Sequence, residues 1–371
     1  MNAEVIIIGG GIQGCASAYY LAQAGVKVIV LEKDWVSRHA SGVNAGGVRS
    51  LGRHIAEVPL SIASIEMWQN LSEELSADTG FRRKKLINIA ADESDMQTLR
   101  ARERQMHALG YYHEQILDDK ELRQHLPNVA EHCVGGVLSH TDGYAIPYHT
   151  TSAYRRAAQA LGAVFIEGEA VENIRKVGQD WHIQSQTSDY QARHLVNCAG
   201  AWADKIAVMI GDNVPMSYSA PMLMITTRMP HFATPVVGAV SRPLSFKQFE
   251  NGTVLIGGGA KGFADREHNR TRLDYQKLAV GAQNVAEFFP IMKRASINRM
   301  WSGLEAYMPD NLPVIGFSPS SENALHAFGF SAHGFQMGPI VGKIISQLII
   351  NRKTSFDLTP FKADRFERKV L

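Results

Sequence analysis

Residues Val5 to Gly14 read VIIIGGGIQG, and the reading of this stretch decides the fold. Val5-Ile6-Ile7-Ile8 is continuously apolar and β-branched, as a parallel strand buried on both faces requires. It runs directly into Gly9, Gly11 and Gly14, the G-x-G-x-x-G spacing that lets a turn approach a pyrophosphate, with Ile12 and Gln13 in the same turn. The following CASAYYLAQAG is small and apolar, the composition of a helix packed on a sheet, and Gly25 supplies a C-cap. A second apolar strand, Val26 to Leu31, ends on Glu32, with Lys33 next. That acid lies about 20 residues beyond the glycines, where a carboxylate accepts from both ribose hydroxyls. A glycine triplet alone is weak evidence. Strand, triplet, helix, strand and acid in this order specify a dinucleotide site.

The chain has 371 residues, 45% hydrophobic and 20% charged, enough for two domains with sizeable cores. A net charge of +2 gives no bulk electrostatic case for nucleic acid or an anionic membrane. Cys15, Cys133 and Cys198 form no C-x-x-C pair, which excludes a self-contained zinc or iron–sulfur site and points to a reducing compartment; no metal is expected. The chain enters its first strand at once, with no charged and hydrophobic leader, and has no run of about 18 apolar residues. The expected location is the cytoplasm, with peripheral contact at the inner membrane face as a variant.

Two further landmarks carry small residues at strand ends. HLVNCAGAWA, His194 to Ala203, is an apolar strand, a small-residue turn and a helix start, a second close approach to the cofactor. Cys198 within it reads as a buried small hydrophobe. MPDNLPVIG, Met308 to Gly316, precedes LHAFGFSAHGFQMGPIVGKIISQLI, a strand and a long helix. Elsewhere the patterns predict a helix over 55–75 with Pro59 in its first turn, a strand over 86–90, and polar helices over 93–109 and 118–125. A turn is expected at Asp142-Gly143, a helix from Pro147 to about Leu161, and two strands over 163–185. Residues 215–259 hold short β patterns with a hairpin at Asn251-Gly252, followed by a helix from Asp274 to Phe289. The cluster Arg82, Arg83, Lys84, Lys85 and the tail FKADRFERKVL, 361–371, read as solvated surface.

The opening βαβ unit, followed by ASGVNAGGVR (Ala40 to Arg49), resembles the FAD-dependent amino-acid oxidoreductases of the D-amino-acid oxidase, glycine oxidase and sarcosine oxidase group. The resemblance continues through V-N-x-A-G-A-W, P-D-x-x-P-x-I-G and G-H-G-F-like blocks across essentially the whole chain. It implies an α/β plus α+β fold: a Rossmann-like FAD-binding domain from residues 1–83, 142–214 and 301–371, and a mixed or antiparallel substrate domain from 84–141 and 215–300. It also implies FAD contacts at Ser41, Gly42, Asn44, Ala45, Gly46 and Gly47, at Val171 on the adenine side, and at Cys198, Ala199, Gly200 and Trp202. Gly303 and the helix start His333, Gly334, Phe335 and Gln336 would meet the flavin, where the positive helix end stabilises charge on the ring. FAD is expected non-covalent, because residues 299–310 hold no cysteine and Asn44 stands where histidine-linked members carry their histidine.

The implied reaction takes hydride from the carbon next to nitrogen to flavin N5 and leaves an imine. A small amino-acid substrate needs a cation for its carboxylate. Where glycine-oxidase-like members carry arginine, this chain has Glu305, so Arg49 becomes the best carboxylate partner, with Lys247 and Tyr307 as further candidates. Glu305 suits a substrate ammonium or hydroxyl, and His333 a substrate oxygen. GLEAYMPD with GVNAGGVR looks closer to dehydrogenase-like members acting on cyclic or N-substituted amino acids, with D-hydroxyproline or proline as the leading substrate. Two alternatives stand beside it: a glycine or sarcosine oxidase using oxygen, and the flavoprotein subunit of a hetero-oligomeric dehydrogenase acting mainly in electron transfer. The acceptor is oxygen, a quinone or a partner subunit, and homo- or hetero-oligomers both fit.

Overall fold

The computed structural model describes residues 1–367. The opening stretch forms β1 (Asn2–Ile8), α1 (Ile12–Gln23) and β2 (Val28–Glu32). Val5, Ile6 and Ile7 are fully buried, as their unbroken apolar run requires. β1 pairs in parallel with β2, from Val5↔Val28 to Ile8↔Leu31. On its other side it pairs in parallel with the strand Asp189–Asn197, ending at Ile8↔Asn197. Both small-residue turns therefore leave the same edge of one sheet. The Cys198 N–H donates to the Ile8 carbonyl and the Gly9 N–H to Leu31, both at 2.8 Å. A Cβ on Gly9, whose φ is +111°, would stand 2.4 Å from the Cys198 carbonyl oxygen, so only glycine lets the two turns meet.

Among the described residues this sheet has eight strands, and an eleven-stranded sheet forms the second unit. The expected Rossmann-like domain with a second mixed sheet is the fold observed. In the first sheet, residues 163–185 give three strands rather than two: Val164–Glu167, Val171–Val177 and Asp180–Ser185. The first of them lies parallel to β2 at a partly exposed edge of the sheet. The second sheet is built around Ser217–Thr226, with Phe232, Phe246 and Phe289 packed at 4.8–6.0 Å in its core. The helix Tyr275–Phe288 is capped by Asp274, whose side chain accepts from the Lys277 N–H. The hairpin forms with Gly252 at φ +86° between Ser245–Gln248 and Val254–Gly257.

Two expectations change. The boundary placed at residue 300 falls inside the strand Ile297–Ser302, which pairs with Ser217–Thr226, as does Glu305–Tyr307. The chain returns to the first sheet only with Val314–Phe317 and Ala324–Phe328. The tail is not simply solvated either. Phe361 and Ala363 are buried and Arg365 pairs with Asp310 at 2.8 Å, while 368–371 lie outside the described residues. Two apolar side chains spaced by one residue are too weak a pattern to mark this packing against a charged background. The cluster at 82–85 does lie on the surface, with Arg82 paired to Asp78 and Lys84 to Glu250. No helix among the described residues is long and apolar enough to cross a membrane.

α1 packs on the closing helix, Gly334–Asn351, at unusually short range. A Cβ on Gly342 would stand 2.6 Å from the backbone of Ala16, and one on Gly338 2.5 Å from the Ile12 side chain. Because both helix starts face the cavity described below, this packing fixes their spacing. Gly342→Val is expected to lower stability by about 1–3 kcal/mol through overpacking. Thermal unfolding of the cofactor-loaded protein measures it, and an unchanged midpoint would show that the helices separate without cost.

Candidate active site

One cavity of about 730 Å³ runs between the two sheets. That is toward the upper end of the ~300–1,000 Å³ usual for ligand pockets. At one end Glu32, Lys33 and Val171 line it, beside Cys198, Ala199, Gly200 and Trp202. The Glu32 carboxylate accepts from the N–H groups of Gly10 (2.7 Å) and Asp34 (2.9 Å). Burial raises its pKa against the pull of those two N–H groups. The Lys33 ammonium lies 3.8 Å over the Trp202 ring. Cys198 is a buried thiol pushed up to about 12 by burial, the inert state its sequence context suggests.

In the middle, Gly9, Gly11, Ile12 and Gln13 face Ser41, Asn44, Ala45 and Gly47 across the cavity. The Ser41 hydroxyl accepts from the Ile12 N–H at 2.8 Å and so fixes the loop to the start of α1. Gln13 donates to the Gly334 carbonyl at 2.7 Å, joining the two helix starts that face the cavity, and its Oε1 is buried without a partner. Neither N-cap residue caps its helix with its own side chain, so first-turn N–H groups other than that of Ile12 remain for a ligand. At Gly47 and Gly200 nothing stands within 4 Å of a Cβ position, which leaves bare backbone toward the cavity. Free amide donors, bare glycines, an orphaned amide oxygen and an acid at the ribose end together fit a dinucleotide.

At the far end the walls change character. Arg49, Glu305, Tyr307, His333, Gly334 and Phe335 line it, with Gly303 and the apolar Leu86, Leu223 and Val236. Arg49 donates to the Leu51 carbonyl at 2.8 Å, and among the described residues it makes no ion pair. Burial lowers its pKa, partly offset by Asp142 and Glu57. Glu305 is pushed up to about 7 by burial, against the Ala332 N–H and Lys261. Tyr307 is raised by burial and by Glu305, with the Lys261 ammonium 3.9 Å from its ring. His333 is pushed down to about 4, first by burial and then by Arg53.

Gly14, Gly42, Gly46, Gln336 and Lys247, all expected at the site, do not reach the cavity wall. The three glycines serve close backbone packing: a Cβ on each would stand 1.9 Å from Gly9 O, 1.9 Å from Ser37 O and 2.2 Å from Ala145 O respectively. Gln336 is fully buried, donating to Ser61 while its carbonyl takes the Ser64 hydroxyl and the Trp68 indole. Lys247 donates to the Ala45 carbonyl and lies 4.8 Å over the Tyr144 ring; burial alone pushes it down to about 7. It holds the loop from behind. Sequence reading missed Arg53, which lines the cavity, and Glu57 behind His333. Arg53 lies four residues after Arg49, the one signal available, whereas Glu57 before a helix reads like any solvated acid.

Residues 4–348 match the family described as FAD dependent oxidoreductase. The chain is 26% identical over 395 residues to glycine oxidase of Bacillus subtilis, covering 98% of each chain. It is 25% identical over 414 residues to hydrogen cyanide synthase subunit HcnC of Pseudomonas aeruginosa, covering 98% of this chain and 96% of that one. The structure of L-proline dehydrogenase from P. horikoshii superposes with a TM-score of 0.90 at 24% identity, over 99% of this chain and 98% of the other, which shows a common fold. Gly47→Leu is expected to leave the protein folded and strip most of its bound cofactor, because the new side chain enters open cavity. The ratio of flavin to protein absorbance measures this; full loading would mean that Gly47 does not face the cofactor.

Proposed function

The chain belongs to the FAD dependent oxidoreductase family and works with FAD, and from that premise we propose that it oxidises an amino acid at the bond between carbon and nitrogen. The substrate we favour is a cyclic or N-substituted amino acid of the D-hydroxyproline or proline kind. One observation carries this reading: Arg49 and Glu305 both line the one cavity. A guanidinium and a carboxylate across one pocket complement the carboxylate and ammonium of an amino acid. FAD, when bound, supplies the two-electron chemistry by accepting hydride at N5. The chain supplies the rest. Arg49 holds the substrate carboxylate, Glu305 takes the ammonium or a ring hydroxyl, and Leu86, Leu223 and Val236 exclude water from the carbon that reacts.

A second reading is a catalytic subunit that passes its electrons to a partner chain rather than to oxygen. The relative named as a synthase subunit, which the chain matches along nearly its full length, favours it. Oxygen consumption by the isolated protein distinguishes the two.

Glu305 must be ionised to pair with an ammonium, and its pKa is raised to about 7. The kcat/KM is therefore expected to fall as pH drops through about 7, and Glu305→Gln should abolish that limb and change substrate preference with FAD retained. Loss of FAD from this variant would make the residue structural. Arg49→Ala is expected to raise KM by about 10- to 100-fold, the worth of a charge-assisted hydrogen bond, with FAD still bound. An unchanged KM would sink the carboxylate assignment.

A further inference from the structure

Behind His333 stands a carboxylate with no role in the contacts assigned above. Glu57 ends the short turn Ile55–Glu57 and is fully buried. Its Oε1 accepts from His333 Nδ1 at 3.4 Å, while Oε2, 3.3 Å from the same nitrogen, has no hydrogen-bond partner. An ionised carboxylate can only accept, so this contact selects the tautomer in which Nδ1 carries the proton and Nε2 presents a lone pair. His333 lines the far end of the cavity, where Nε2 takes no partner from the described residues. A buried carboxylate behind an imidazole with one open nitrogen is the arrangement of a proton acceptor.

We propose that His333, positioned by Glu57, takes the proton from the substrate nitrogen before hydride leaves. This rests on the amino-acid reading above. The ammonium N–H bond breaks and an Nε2–H bond forms, so the freed pair on nitrogen becomes the second bond of C=N. The hydride leaves the adjacent carbon with its own electron pair for oxidised FAD, and both electrons of the oxidation are accounted for. Glu57 is ionised: burial would raise its pKa, but His333, Arg53 and His54 together bring it below the ordinary range. His333 is held neutral in the free protein by burial and by Arg53 and Arg49, against the pull of Glu57. A substrate carboxylate arriving at Arg49 offsets that positive charge. The substrate therefore strengthens the base that serves it.

Anaerobic stopped-flow reduction of the FAD-loaded protein by D- or L-proline, followed from pH 6 to 10, tests the step. His333→Asn is expected to slow reduction by about 100-fold at pH 7, and Glu57→Gln by about 10- to 100-fold, both with FAD bound. Both deficits should shrink with rising pH and largely vanish by about pH 10, where an amine sheds its own proton. Glu57→Asp should recover part of the rate. A separate readout needs no turnover: calorimetry with pyrrole-2-carboxylate at pH 5 to 6, in buffers of different ionisation heat, should show proton uptake that His333→Asn reduces. Native-like rates in both variants overturn the proposal, as does a deficit equal at pH 7 and pH 10. A pH-closing deficit in Glu305→Gln but not in His333→Asn assigns the proton to Glu305 instead and also overturns it. If neither proline enantiomer nor any N-substituted amino acid reduces the native protein, both this proposal and the amino-acid reading fall. Reduction of the native protein with unaffected variants removes the proton step alone.

Discussion

Asp142 is fully buried and accepts three hydrogen bonds, from the Ser50 N–H, the Ser50 hydroxyl and the Leu51 N–H. Those bonds set the end of the loop that carries Arg49. The rest of the same loop is held from every side: Ser41 by the Ile12 N–H and Thr151, Val43 by the Trp301 indole, Ala45 by the Lys247 ammonium. A small-residue segment has little intrinsic preference for one conformation, since glycine loses more freedom on ordering than any other residue. Its shape is imposed from outside, by two helices of the first unit, a turn and two strands of the second sheet. It lines the cavity from the glycine turn of the dinucleotide site to Arg49, so its shape sets that stretch of the cavity wall.

The same dependence explains what could be read in the sequence. β1, α1 and β2 were legible because each is defined locally, by an apolar run, three glycines and an acid. The helix read at 274–289 is found within one residue at each end, and the hairpin was legible through Asn251-Gly252. What was hidden depends on partners distant in the chain. Strand 297–302 belongs to the second sheet because it pairs with residues 222–226, and no local pattern announces that choice. Lys247 read as a candidate at the site, yet its ammonium is used on a backbone carbonyl. Glu57 and Arg53 are among the least exposed side chains of the protein, although residue type alone places both at the surface. Buried charge is where sequence reading fails first, because burial of an ion is decided by its partners.

The surroundings of Arg49 concentrate such charges. Arg49, Arg53, Glu57 and Asp142 act on one another with few direct pairings, and burial moves the two guanidiniums down, with Arg53 at about 9, as it moves Glu305 up on the same cavity. Leaving donors unmatched in a buried site is costly for the free protein. On the proposed amino-acid reading, a small zwitterion would supply the missing partners. The dinucleotide end is built differently. Its surface is backbone amides, bare glycines and one acid, and its unmatched groups are neutral amides rather than charges.

The central claim is that FAD and an amino acid share this one cavity, with the amino acid at the end lined by Arg49 and Glu305. An anaerobic absorbance screen of the purified flavoprotein, over D-, L-, cyclic and N-methyl amino acids without any partner chain, tests it most directly. The account expects the visible flavin band to bleach with a cyclic or N-substituted amino acid and to stay unchanged with the corresponding acid that lacks nitrogen. A flavin that no amino acid reduces would contradict it.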